Sequence, residues 1–152
     1  GTFGAWTAET RGWSSSPSAC PLSSWVAAPL PVTDRITIVP ISANDPCSNP
    51  GVPIKLPSPY GGNYSIKLGN NSVGAQSERL TYKFTVQPSD YNFLYQYAVV
   101  LENPANHVKS NQPFFEFYIL TENGDTVACS HKEYVAAAGI PGFQTSTLSN
   151  AA

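Results

Sequence analysis

The sequence has no methionine among its 152 residues. Residue 1 therefore cannot be an initiator, and Gly1 is expected to be a cut or processed end. Charge is scarce, with 12% of residues Asp, Glu, Lys or Arg, about half the average usage. The 8 basic and 10 acidic residues leave a net charge of -2. No basic surface is on offer to a phosphate backbone, so nucleic acid is not an expected partner. No apolar run approaches the roughly 18 residues that a membrane span requires, and no basic start leads into an apolar core and a small-residue cleavage site. Neither a span nor a signal is read in the sequence. The three cysteines, Cys20, Cys47 and Cys129, contain no C-x-x-C pair, which leaves little room for a zinc ribbon or a thioredoxin-like motif.

Catalytic groups are also few. The two histidines are His107, in a polar loop sequence, and His131. His131 follows Cys129 by two positions, a spacing that on a strand would turn both side chains to one face, as metal ligands or a thiolate pair would. A plain strand histidine is the simpler reading. No serine stands in a G-x-S-x-G elbow, and no glycine-rich phosphate loop opens a helix. A glycosidase needs two carboxylates across a cleft. Glu102 and Glu116 are the best placed, against the simpler reading of solvent-facing acids. The chain is expected not to be an enzyme.

What is present points to strands. The 14 prolines and 11 glycines disfavour helices, while 41% hydrophobic and 12% aromatic residues exclude disorder. Residues 1–34 hold all three tryptophans and little periodicity, so an irregular arm or short edge strands are expected there. Arg35–Val39 is the first clear strand, ended by Pro40. Residues 42–62 form a long Pro-rich loop. Alternation then marks Tyr64–Leu68 and Leu80–Val86 as strands with one wet and one dry face. Phe93–Leu101 is apolar on both faces and is expected to be a central strand sealed between layers. Phe114–Leu120 and Thr126–Ser130 flank Asn123-Gly124, a hairpin signal. Tyr134–Ala137 extends the return strand or starts another, and residues 143–152 read as a tail or edge strand. These elements predict one all-β domain over residues 1–152, an antiparallel sandwich of jelly-roll, immunoglobulin-like or galactose-binding-like kind.

Candidate sites follow from residue type. Trp6, Trp13, Trp25 and Tyr60 are loop aromatics that could place a flat ring under a sugar, or could plug the ends of the sandwich. Asn44, Asp45 and Asn49 could supply oxygens to calcium, the one cofactor considered, although Asn and Asp populate turns for backbone reasons as well. Cys20 and Cys47 lie in Pro/Ser-rich loops that a disulfide would tie down, leaving Cys129 odd.

A longer pattern adds to this reading. Gly61–Asn70, Gly74–Tyr82, Phe93–Leu101, Pro113–Glu116 and Gly139–Phe143, in that order over about residues 61–144, resemble the jelly-roll-like module of large secreted surface proteins and adhesins of gliding Bacteroidetes. The opening Gly1–Trp6 is similar to the start of that module. The resemblance implies an extracellular, cell-surface location reached by type IX secretion, neighbouring PKD-like repeats, and a role in adhesion or glycan binding. It also implies further strands and cysteines beyond Gly142-Phe143-Gln144-Thr145. A sheet edge is then expected to stand open unless residues 143–152, or a strand from another copy, cover it. The alternative role is a structural subunit of an extracellular polymer joined at that edge. Asp125-Thr126-Val127 is similar to the O-glycosylation acceptor of that phylum, which marks Thr126.

Overall fold

The computed structural model describes residues 5–12, 23–40, 42–48, 62–72, 74–90 and 92–146. The chain falls into two compact units, one holding the residues up to Ala98 together with Ser146, the other Val99–Thr145. The fold is all-β. Its strands are β1 (Trp6–Gly12), β2 (Val26–Ala28), β3 (Ile36–Pro40), β4 (Tyr64–Leu68), β5 (Gln76–Tyr82), β6 (Phe114–Phe117) and β7 (Lys132–Val135). Among the described residues the only helical element named between strands is a 3-10 turn at Lys109–Asn111, and no helix is long and apolar enough to cross a membrane. Every strand pair is antiparallel.

In the first unit, β1 is the middle strand of a three-stranded sheet in the order β2-β1-β5. The sequence predicts an irregular arm or short edge strands over residues 1–34; β2 is a short edge strand, whereas β1 is a central one. Thr7-Ala8-Glu9-Thr10-Arg11 is poor in large apolar residues and gives no amphipathic signal by itself. Its partners supply what it lacks. Trp6 faces Tyr82 and Ala8 faces Leu80, which makes one face apolar, while Glu9 faces Arg79 on the other. Cross-strand pairs of these kinds each contribute roughly 0.2–1 kcal/mol.

The second sheet of this unit pairs β3 with β4, with Ile36 opposite Leu68 and Ile38 opposite Ile66 on one face. Ile36 is fully buried, and only Ala8 and Ala136 join it as buried apolar residues among those described. Burying such a side chain is worth about 1.5–3 kcal/mol. Arg35, just ahead of β3, links the two sheets. Its Nε donates to Glu78 Oε1 on β5, and its Nη2 donates to the carbonyls of Arg11 at 2.8 Å and Ser77 at 3.0 Å.

The second unit is built on a long hairpin. β6 pairs β7 from Phe114 opposite Val135 to Phe117 opposite Lys132, and farther out Leu120 bridges Thr126. The Asn-Gly signal is realised as a turn in which Gly124 N–H donates to Thr121 O at 3.0 Å. Gly124 has φ +89, the left-handed residue that follows a type I turn in a bulged hairpin. The return strand expected at Thr126–Ser130 is interrupted: Ser130 N–H bonds back to Val127 O, Cys129 adopts φ 63, and pairing resumes at Lys132. The Ser130 hydroxyl donates to Val127 O at 2.8 Å and accepts from Ile119 N–H at 3.0 Å, so it occupies backbone groups that the break frees.

The largest departure concerns Phe93–Leu101. These residues form no strand, the boundary between the two units falls among them, and Phe93, Leu94, Tyr97 and Val100 are exposed, Leu94 by 84%. The expectation of a sealed central strand is corrected. An apolar run on both faces expresses a demand for burial, but a strand also needs neighbours on both edges, and no described residue supplies a ladder here. β5 likewise stops at Tyr82, short of the expected Val86.

Candidate functional site

The first unit carries a file of aromatic rings along one side. Trp6 and Tyr82 lie 4.6 Å apart, Tyr82 and Phe84 5.8 Å, Phe84 and Phe93 4.9 Å, Phe93 and Tyr95 6.0 Å, Tyr95 and Tyr97 5.7 Å between centroids. Cross-strand pairing brings Trp6 to Tyr82, and the i, i+2 spacing of the rest follows the alternation of an extended chain. The Gln87–Asp90 turn brings Phe84 back to Phe93. It is closed by Asp90 N–H on Gln87 O at 2.9 Å and by Gln87 N–H on the Asp90 carboxylate at 2.7 Å. Phe84 and Phe93 are nearly parallel, 8° apart, yet 44% and 48% exposed, and Val86 is exposed by 65%. Rings stacked on one another turn edges outward and keep few faces free. Such a surface suits a second apolar layer better than a sugar ring.

Of the four aromatics expected to bind a ligand, the two described ones, Trp6 and Trp25, lie on different faces of one sheet. Trp6 belongs to this file. Trp25 lies on the charged face of the same sheet, with Arg11 Cζ 4.3 Å and Arg79 Cζ 4.5 Å from its ring centroid, so guanidinium groups already take up ring area. Trp13 and Tyr60 lie outside the described residues, as do Asn49 and Cys20. Asn44 is exposed. Asp45 is buried; its Oδ1 accepts from Cys47 N–H at 2.8 Å, and its Oδ2 lies 3.9 Å from Lys67 Nζ. The two carboxylate oxygens of Asp45 are thus engaged by a turn and by a cation of the chain. Among the described residues no group of three His, Cys, Asp or Glu could hold a metal ion.

In the second unit, Glu116 on β6 meets His131 Nε2 at 2.9 Å, and Tyr118 stands edge-on to the same imidazole at 6.2 Å. Cys129 sits in the turn before it, so the shared strand face weighed as the alternative for Cys129 and His131 does not form. Thr126 is exposed on the hairpin arm.

Sequence reasoning missed the charged face of β1 and β5. Glu9 accepts from Arg79 Nε at 2.7 Å, and this hydrogen bond, aided by the charge of Arg79 and opposed by partial burial, holds the Glu9 carboxyl below the usual glutamate range. Arg11 lies two pairs farther along on the same face, opposite Ser77. Arg11 and Trp25 are brought together by the pairing of β1 with β2, through Thr10 with Val26 on one side and the Gly12–Ser23 hydrogen bonds on the other, which no local pattern announces. Comparison with family models, with curated proteins and with solved structures gives no match to this chain.

Proposed function

We propose that this chain is a non-catalytic module of an extracellular, cell-surface assembly, joined to further copies of itself by strand exchange along an exposed apolar segment. The observation that supports it is the run from Tyr82 to Leu94, where Tyr82, Phe84, Val86, Phe93 and Leu94 are all exposed and the described residues after Tyr82 form no strand within the run. Exposed apolar chain beside the last residue of a sheet is what strand addition uses: backbone groups give affinity, and alternate side chains fill the layer. Among the described residues β5 stands at one edge of its sheet.

Sedimentation velocity over a wide concentration range tests the proposal. Association is expected to rise with concentration, and the Phe84→Asp/Phe93→Asp variant is expected to remain monomeric with its strand content intact. A strictly monomeric wild-type profile at high concentration refutes it. Binding of the wild-type chain on a glycan array that disappears with Trp6→Ala would favour a carbohydrate-binding adhesin instead.

A further inference from the structure

We infer that Arg11, held against Trp25 on the charged face of β1 and β5, is the receiving group for a carboxylate supplied by an acidic side chain of a partner polypeptide. This deepens the assembly reading and rests on it for the identity of the partner.

The inference starts from the acidic side chains. The 10 acidic residues all fall within the described part of the chain. Among the described residues four ion pairs are made, Arg35 with Glu78, Lys67 with Asp45, Arg79 with Glu9, and His131 with Glu116. None includes Arg11. The connection from β1 to β2, residues 13–22, contains no Asp or Glu, so it cannot bring a carboxylate to Arg11 either. Among the described residues no oxygen accepts a hydrogen bond from the Arg11 side chain, and its Nε is buried without a partner.

An exposed lysine without a partner needs no explanation, because water solvates it. Arg11 is different. Its guanidinium is fixed 4.3 Å from the Trp25 centroid, which removes rotamer freedom before any ligand arrives. Arg79 is fixed on the same indole at 4.5 Å. The two cations are therefore no more than about 9 Å apart, a distance at which they repel appreciably near a protein surface. Glu9 neutralises Arg79 and leaves one positive charge uncompensated among the described side chains; since its Nε is buried, a partner's carboxylate would meet the terminal nitrogens, Nη1 and Nη2. A planar carboxylate matches the outer edge of a guanidinium through two parallel hydrogen bonds.

The partner's class follows from the surroundings. Trp25 already carries guanidinium groups, which disfavours stacking of a sugar ring. β2 is a three-residue strand at the edge of its sheet among the described residues, and its Val26, Ala27 and Ala28 are uncharged. A polypeptide running along β2 would bring its side chains beside Arg11 with no competing charge from that strand.

The test titrates the full chain with oligoglutamate and, separately, with oligogalacturonate, while tryptophan fluorescence and the Arg11 Nε–H resonance are followed. Oligoglutamate is expected to bind, to weaken as salt is raised, to shift that resonance, and to bind about tenfold or more weakly to Arg11→Gln, from the strength of charge-assisted hydrogen bonds. Arg11→Lys is expected to recover part of the loss, and Lys83→Gln to change nothing. No binding to the wild type, equal binding by Arg11→Gln, or an unshifted Nε–H resonance overturns the inference, the last even where the variants fail to fold. A preference for oligogalacturonate overturns the assignment to a polypeptide. Because Phe84→Asp/Phe93→Asp should abolish self-association yet keep oligoglutamate binding, failure of this inference and failure of the assembly reading are separable.

Discussion

Replacing Arg35 probes the junction between the two sheets of the first unit. The guanidinium makes three bonds at once, to Glu78 Oε1 and to the carbonyls of Arg11 and Ser77. Arg35 and Glu78 keep only 18% and 10% of their side-chain exposure, so solvent screens the pair weakly. Arg35→Ala leaves the Glu78 carboxylate largely buried without its cation and takes one donor from each of two carbonyls, a change that costs about 3–5 kcal/mol. For a domain whose whole stability is about 5–15 kcal/mol, that is a large fraction. All three tryptophans precede Ala98, so tryptophan fluorescence during urea unfolding reports on this unit. With a slope of about 2 kcal/mol per molar urea, the midpoint should fall by about 1.5–2.5 M. Removing both charges in Arg35→Ala/Glu78→Ala should destabilise less than Arg35→Ala alone, because no unpaired acid remains. A loss under about 1 kcal/mol in Arg35→Ala, or strict additivity in the double variant, refutes the view that one guanidinium joins the sheets.

Two further substitutions follow from local chemistry. The Glu9 carboxyl titrates below its ordinary value because of Arg79. Its contribution is therefore complete above the ordinary glutamate range and fades as pH falls through the lowered folded value. Glu9→Gln should flatten that acid limb of a stability–pH profile while leaving the neutral region sensitive only to the lost pair, and an unchanged acid limb would count against the pairing. Cys129 holds φ 63 without the freedom of glycine, so Cys129→Gly should raise the melting temperature, by relief of up to about 1 kcal/mol. A lower melting temperature would show that the thiol contributes more than the backbone conformation costs.

The parts of the fold that were legible in the sequence are those whose signal is local. Ile36, Ile38, Ile66 and Leu68 alternate with polar residues within two short runs, and these became β3 and β4. Asn123-Gly124 between β-prone runs became a hairpin because glycine at a positive φ is a property of single residues. β1 was illegible for the opposite reason. Ala8 and Glu9 acquire a strand's two faces only once Leu80 and Arg79 stand beside them, about 70 residues away in the chain. The same holds for Arg11 and Trp25, whose proximity depends on the register of β1 with β2. The error at Phe93–Leu101 has a different origin. Hydrophobic pattern states which faces must leave water, and burial within the same chain is one of two ways to satisfy it. Tyr82, Phe84, Phe93 and Leu94 keep that pattern while remaining exposed. Among the described residues the apolar content is larger than the sheets pair off, and under the proposed strand exchange a partner strand would take up that remainder.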